Sequence, residues 1–217
     1  VSILAATGLQ SEARLLGRYG LMAVAGGGDK TTLASGLERQ IAGATLVIST
    51  GLGGALNPDL GIGDIVIDAG TTSNAFIAAL LNKLPEACQG LIHGSYAPLA
   101  TIADKAALRF QSRADVVDME SHIAAEFAAR HGIPFLALRV VSDTAHDAIP
   151  SAALAGMIPG GGVAPLAVIN ELRRRPMQLP ALLRTAINAA RAMRVLDRVY
   201  RRLDLVRNIR EHFVDMV

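Results

Sequence analysis

The chain has 217 residues, 51% of them hydrophobic, which is enough for one well-buried domain without requiring a second. With 4% aromatic residues and no Trp the core has to be built from Ala, Leu, Ile and Val, and Cys88, the only cysteine, excludes an internal disulfide and a cysteine metal cluster. The formal net charge of +2 is uneven: from Asn170 to Val217 eleven Arg stand against five Asp or Glu, a net of +6, which leaves −4 for the rest, a neutral-to-acidic body with a basic tail.

The opening run "VSILAAT" (1–7) is too short for a secretory leader and reads as a strand closed by the Thr7-Gly8 turn. Leu9 to Arg18 follows as a helix. "GLMAVAGGG" (20–28) is a second strand into a glycine turn, and Asp29 caps a helix running to about Ala42. Further strands are "ATLVISTG" (44–51), "GDIVIDAG" (63–70), "GLIHGS" (90–95), "ADVVDM" (114–119) and the almost wholly apolar "IPFLALRVVSD" (133–143). Helices are expected at Lys105 to Gln111 and Glu120 to His131. "MIPGGGV" (157–163) reads as a loop, and residues 164–217 as a helical C-terminal extension of a single domain spanning 1–217. No apolar run approaches the roughly 18–20 residues that cross a bilayer, so a soluble or peripheral protein of a reducing cytoplasm is expected.

Strands apolar on both faces, alternating with helices, predict an α/β fold: a three-layer αβα sandwich around a mixed, mainly parallel sheet. Ligands of such sheets bind outside the carboxyl ends of the strands. That rule points to Thr7-Gly8, the glycines at 26–28, Ser49 to Gly54, Asp118 to Glu120, and Ser142-Asp143. Gly26 and Gly28 partly match a dinucleotide fingerprint, but Thr31 stands where its third glycine belongs. No Walker lysine pattern and no histidine pair at metal-ligand spacing occurs, so neither cofactor nor metal is expected.

"STGLGGAL" (49–56), "VVDMES" (116–121) and "RVVSDTA" (139–145), in this order, resemble the purine nucleoside phosphorylase and methylthioadenosine/adenosylhomocysteine nucleosidase superfamily. "ILAATGLQSEA", "AVAGGGD", "VDMESHIAA", "FLALRVVSD" and "RRRPMQLPALLR" are similar, over nearly the whole chain, to the hopanoid-associated phosphorylases. The resemblance implies cleavage of the N-glycosidic bond of an adenine nucleoside, with adenosylhopane, a lipid-linked nucleoside, as the substrate and methylthioadenosine or adenosylhomocysteine as the alternative. Glu120 then matches the glutamate holding the ribose hydroxyls, and Met119 the methionine packed on the sugar. Asp143 matches the acid that protonates the purine at N7, Ser142 its neighbour, and Glu12 the glutamate that activates water. Gly8, Leu52 and Gly53 complete the expected substrate contacts, adenine being met near Leu99 to Ile102. Relatives of this kind assemble as dimers or larger rings, so a homo-oligomer is expected.

The chemistry agrees with these residue types. Breaking a purine–ribose bond builds positive charge on the sugar and negative charge on the base. An acid must protonate the base, a carboxylate must hold the sugar, and a second acid on the opposite face can orient water. Asp143 needs a raised pKa or a proton-sharing hydrogen bond for that task. Each acid also has a plain structural alternative. Glu120 can stabilise a helix start as an N1 acid, worth about 0.3–1 kcal/mol, Asp143 can cap a turn, and Glu12 can be a first-turn surface acid. Asp118, alternating with Val117 and Met119, is expected to point away from the site.

Related phosphorylases carry an arginine before the Thr-Gly turn to hold phosphate. Here Ser49 occupies the place with no Arg or Lys near it in sequence, which favours water as nucleophile and leaves phosphate as the alternative co-substrate. Leu52, where the nucleosidases have a small polar residue, suits an apolar 5′ substituent or simple packing. In the tail, Arg184, Arg191, Arg194, Arg198, Arg201 and Arg202 lie among Leu183, Ile187, Leu196, Val199 and Leu203. Such a helix either lies on an anionic membrane or packs its apolar stripe on the core. Nucleic acid is not expected as a partner. A non-catalytic nucleoside sensor or lipid-surface protein is the alternative from another class.

Overall fold

The computed structural model describes residues 2–203. In chain order these form β1 (Ser2–Thr7), α1 (Gln10–Gly17), β2 (Met22–Ala25), α2 (Lys30–Gln40), β3 (Ala44–Ala55), β4 (Ile65–Asp68), α3 (Asn74–Lys83), β5 (Ala87–Gln89) and β6 (Ile92–Gly94). There follow α4 (Ile102–Ser112), β7 (Val116–Asp118), α5 (Ser121–His131), β8 (Phe135–Asp143), α6 (Ser151–Ala155), β9 (Met157–Ile158), β10 (Gly162–Val163), α7 (Pro165–Arg174) and α8 (Leu179–Leu203).

Eight strands make one sheet with the path β2-β1-β3-β8-β4-β5, β7 pairing with β3 and β6 with β7. β8 against β4 and β3 against β7 are antiparallel, and the other pairs are parallel. The mixed, mainly parallel sheet follows from the apolar runs, because a strand buried on both faces needs helices on both. The period of two sorts each strand between the faces. Ile3, Ala5, Leu46, Ile48, Leu136, Leu138 and Val140 meet α1, α3 and α8 on one side. Leu4, Ala6, Val47, Phe135 and Ala137 meet α2 and α5 on the other.

Side-chain caps fix the helix starts. Asp29 accepts from the Thr32 amide (2.6 Å), Ser73 from Phe76 (3.2 Å) and Thr101 from Asp104 (3.1 Å). The Thr101 cap starts α4 at Ile102, three residues earlier than the apolar spacing indicates, which places Lys105 in its first turns. The helix α3 has no counterpart among the expected elements.

Two loops differ from expectation. The Thr-Gly-x-x-Gly segment is not a turn: β3 runs on through it to Ala55, paired with β8 out to Gly54↔Asp143. The stretch 157–163 is a hairpin of two-residue strands. Its tip packs on the two glycine turns, with Gln10 N–H donating to the Gly161 carbonyl (3.0 Å) and Gly160 N–H to that of Gly26 (3.0 Å). Gly27 thus serves a backbone-to-backbone contact, since a Cβ there would lie 2.1 Å from Gly161 N.

The basic tail is split. Leu196, Val199, Tyr200 and Leu203 of α8 are buried, each contributing about 1.5–3 kcal/mol of apolar burial. The Tyr200 hydroxyl donates to Thr50 Oγ1 on β3 (2.8 Å). The C-terminal half of α8 is therefore a core helix. Its first half leaves Leu183 and Ile187 exposed, as are Leu166 and Ile169 of α7. The helical expectation for 204–217 lies outside the described residues.

Candidate active site

The carboxyl end of β1, the end of β3, the β7–α5 junction and the end of β8 surround one pocket. All eight site residues expected from sequence line it: Gly8, Glu12, Leu52, Gly53, Met119, Glu120, Ser142 and Asp143. Of the stretch expected to meet adenine, Leu99 lines the pocket with Ala97 and Pro98, whereas Ile102 is exposed and faces elsewhere.

Glu12 is in the first turn of α1, yet it is buried rather than on the surface. Its Oε2 accepts from the Leu9 amide (2.7 Å) and its Oε1 from the Leu52 amide (2.8 Å), so it ties the β1 loop to β3. Gly51 makes room for it: with φ +148°, a conformation side chains avoid, a Cβ there would lie 2.6 Å from Glu12 Oε1. Burial raises the Glu12 pKa, opposed by the Leu52 and Leu9 amides and by the Arg139 charge.

Glu120 occupies the N-cap position of α5, not N1, and its side chain caps nothing. It is buried in the pocket wall, close against Gly8, where a Cβ would lie 3.2 Å from its Oε1. Its pKa is pushed up to about 7, first by burial, then by the charge of Asp118, with Arg139 opposing.

Asp118 is closer to the site than alternation implies, because the chain turns into α5 immediately after it. Its Oδ1 accepts from Ser121 Oγ (2.7 Å) and the Ser121 amide (3.1 Å), and so caps α5. Its Oδ2 pairs with Arg139, and the residue lines the pocket beneath Glu120.

Two cations were missed in sequence. Arg139 continues the row of Phe135 and Ala137 on β8, beyond the end of the apolar contact with α5. It donates to Ser49 Oγ (2.7 Å) and the Leu138 carbonyl (3.1 Å), pairs with Asp118, and approaches Glu120 Oε2 to 3.9 Å. A basic group therefore does stand beside Ser49, brought by the neighbouring strand and not by the local sequence. The available signal was a lone charge in a strand apolar on both faces, which requires a buried partner. Lys105 is buried and donates to Asp143 Oδ2, the Thr144 carbonyl (2.7 Å) and the Asp147 carbonyl (3.0 Å). Asp143 Oδ1 receives Ser142 Oγ at 3.0 Å. Asp143 is the last residue of β8 and caps no helix.

Among the described residues no group of His, Cys, Asp or Glu could hold a metal ion. None of their helices is long and apolar enough to cross a membrane. The arrangement offers one carboxylate paired with a buried lysine, a second in the pocket wall, and a third held by backbone amides.

Residues 71–156 match a family model described as the phosphorylase superfamily. That segment holds Met119, Glu120, Ser142 and Asp143, while Glu12 and Leu52 lie outside it. No curated protein matches the chain. Among solved structures, S-adenosylhomocysteine nucleosidase from Streptococcus pyogenes, in complex with 5-methylthiotubericidin, is similar at 17% identity, with 92% of this chain and 95% of that one covered and a TM-score of 0.60. The 5′-methylthioadenosine/S-adenosylhomocysteine nucleosidase of Campylobacter jejuni gives 18% identity, 91% and 99% coverage and a TM-score of 0.56. Futalosine hydrolase of Helicobacter pylori gives 18% identity, 67% and 85% coverage and a TM-score of 0.56. The chain thus has the αβα fold of these nucleosidases, and its middle segment carries the sequence pattern of the phosphorylase superfamily.

Proposed function

We propose that the chain is an enzyme that cleaves the N-glycosidic bond of an adenine nucleoside and releases adenine. The observation that carries this reading is the single pocket shared by Glu12, Glu120 and Asp143. Asp143, oriented by Ser142, delivers a proton to N7 of the departing base. Glu120 receives the ribose hydroxyls, with Met119 against the sugar. Glu12 orients the attacking water. Each proton-transfer role is worth roughly 10²–10⁴ in rate. The solved nucleosidases of the same fold support the reaction class.

Water is favoured over phosphate by the distribution of charge. Arg139 is committed to Asp118, Glu120 and Ser49, and Lys105 to three oxygens on the Asp143 side. A phosphate dianion near Glu12 would meet like charge, with no free cation among the described lining residues to offset it.

The pocket's remaining walls include Leu9, Leu52, Leu99, Ile149 and Met157. They favour an apolar 5′ substituent, and adenosylhopane is the substrate of that kind that the sequence resemblance names. The exposed Leu183 and Ile187, close in sequence to Arg184 and Arg191, support peripheral contact with a lipid surface. Assembly as a dimer or larger homo-oligomer belongs to the same proposal.

The test is incubation with an adenylated hopanoid, 5′-methylthioadenosine and adenosine, with and without phosphate, followed by chromatography. Adenine and a free sugar are expected without phosphate. Release that requires phosphate would replace hydrolysis by phosphorolysis. Wild-type turnover in Asp143→Asn would remove the acid, and no adenine from any nucleoside would leave a binding protein.

A further inference from the structure

We propose that Lys105 is a positioning residue that supplies the proton Asp143 delivers. The inference rests on the cleavage reading above and concerns where that proton comes from. Lys105 enters the site from α4, far in sequence from Asp143, and its side chain is 1% exposed against 16% for Asp143. Its ammonium has three N–H donors and three acceptors: Asp143 Oδ2, the Thr144 carbonyl and the Asp147 carbonyl. These contacts hold the amine against the Asp143 carboxylate, within reach of a direct proton transfer.

Stability does not account for this arrangement. A buried ion pair is seldom more stabilising than apolar side chains of the same volume. The neighbouring Leu108 shows that this face of α4 accepts apolar side chains. The lysine instead completes the carboxylate it touches. Asp143 Oδ1 receives Ser142 Oγ and Oδ2 receives Lys105, so both oxygens face donors. The proton-sharing hydrogen bond that an acid at this position needs is the one to Lys105.

The transfer balances as follows. As the bond between the ribose carbon and the purine lengthens, its electron pair moves onto the base. An N–H bond of Lys105 breaks and its proton passes to Asp143, while Asp143 gives a proton to N7 of the purine. The pair ends one proton poorer, with Lys105 a neutral amine and Asp143 again a carboxylate. The attacking water leaves one proton on Glu12, and exchange with solvent returns a proton to Lys105.

The experiment measures adenine release from 5′-methylthioadenosine, the nucleosides above serving as further probes, for wild type, Lys105→Gln, Lys105→Arg and Asp143→Asn. Lys105→Gln keeps a donor toward Asp143 but has no proton to give. It is expected to lose about 10²-fold or more in kcat, with KM within about threefold of wild type. Lys105→Arg keeps the charge but not a transferable proton, and is expected to lose kcat likewise. Should Lys105→Gln not fold, Lys105→Arg carries the test. Wild-type kcat in a folded Lys105 variant, or a loss that falls on KM and not on kcat, overturns the proposal. A wild-type protein that releases no adenine from any of the nucleosides overturns the cleavage reading itself, an outcome separate from silence in the Lys105 variants alone.

Discussion

The guanidinium of Arg139 and the carboxylate of Asp118 meet in an ion pair sealed from solvent, with side-chain exposures of 1% and 0%. Asp118 spends its other oxygen on the start of α5, so the pair joins β8, β7 and α5 at the point where Glu120 enters the pocket. Arg139→Met leaves the Asp118 charge uncompensated. The expected loss is about 3–5 kcal/mol of unfolding free energy, measured by denaturant titration. Because the Arg139 charge opposes the upward shift of Glu120, any variant that still folds should titrate Glu120 higher than wild type.

Glu120 links stability to pH. Its pKa rises from an ordinary 4.5 to about 7 on folding, through burial and the Asp118 charge. The folded state therefore binds this proton more tightly than the unfolded chain. The contribution of this one group is full below pH 4.5 and is lost as pH rises through 7, a loss on the order of 1–3 kcal/mol. Glu12 is shifted in the same direction by burial. Melting temperatures from pH 5 to 8 should decline for wild type and decline less for Glu120→Gln. Activity should show the opposite limb, rising toward pH 7, as the carboxylate that accepts ribose hydroxyls forms.

The layers and the strand-end rule were legible because strands buried on both faces leave an unmistakable apolar record, as in "FLALRVV" and "TLVIS". Glu120 and Asp143 were legible because each stands at the end of such a run. Lys105 and Arg139 were not assigned, since their roles depend on which strands and helices become neighbours. Ser49 meets Arg139 only through the β3–β8 register, and Lys105 meets Asp143 only because the Thr101 cap starts α4 early. The missed α3 has the opposite cause: "NAFIAALLNK" is apolar nearly all round and gives only a faint helical stripe. The apparent Thr-Gly turn failed because ladder pairing with β8 overrides the preference of isolated glycines for turns.

Glu12 distinguishes a catalytic from a merely structural acid. Both of its oxygens accept backbone N–H groups, so Glu12→Gln must set its amide N–H against one of them. An unsatisfied buried donor costs about 1–3 kcal/mol, offset in part by removing a buried charge. The fold should survive at slightly lower stability. Adenine release should fall by about 10²–10⁴, with KM nearly unchanged, because the amide cannot take the proton from water. Steady-state kinetics beside a melting curve separates the two effects.

Gly54 tests whether the placement of Asp143 matters independently of its chemistry. The residue pairs with Asp143 across β3 and β8, and a Cβ there would lie 2.8 Å from Asp143 Oδ2. Gly54 has no positive φ, so alanine strains no backbone. What has to yield is the tip of the Asp143 side chain, away from Lys105. Gly54→Ala should therefore keep its melting temperature within a few degrees while adenine release drops by about 10²-fold, the cost of misplacing a reacting group by roughly 1 Å. Gly17→Ala, where a Cβ meets nothing within 4 Å, is the control and should retain full activity. If Gly54→Ala turns over like wild type, Asp143 is not held to its task by the pairing of β3 with β8, and the proton must reach the base from elsewhere in the pocket.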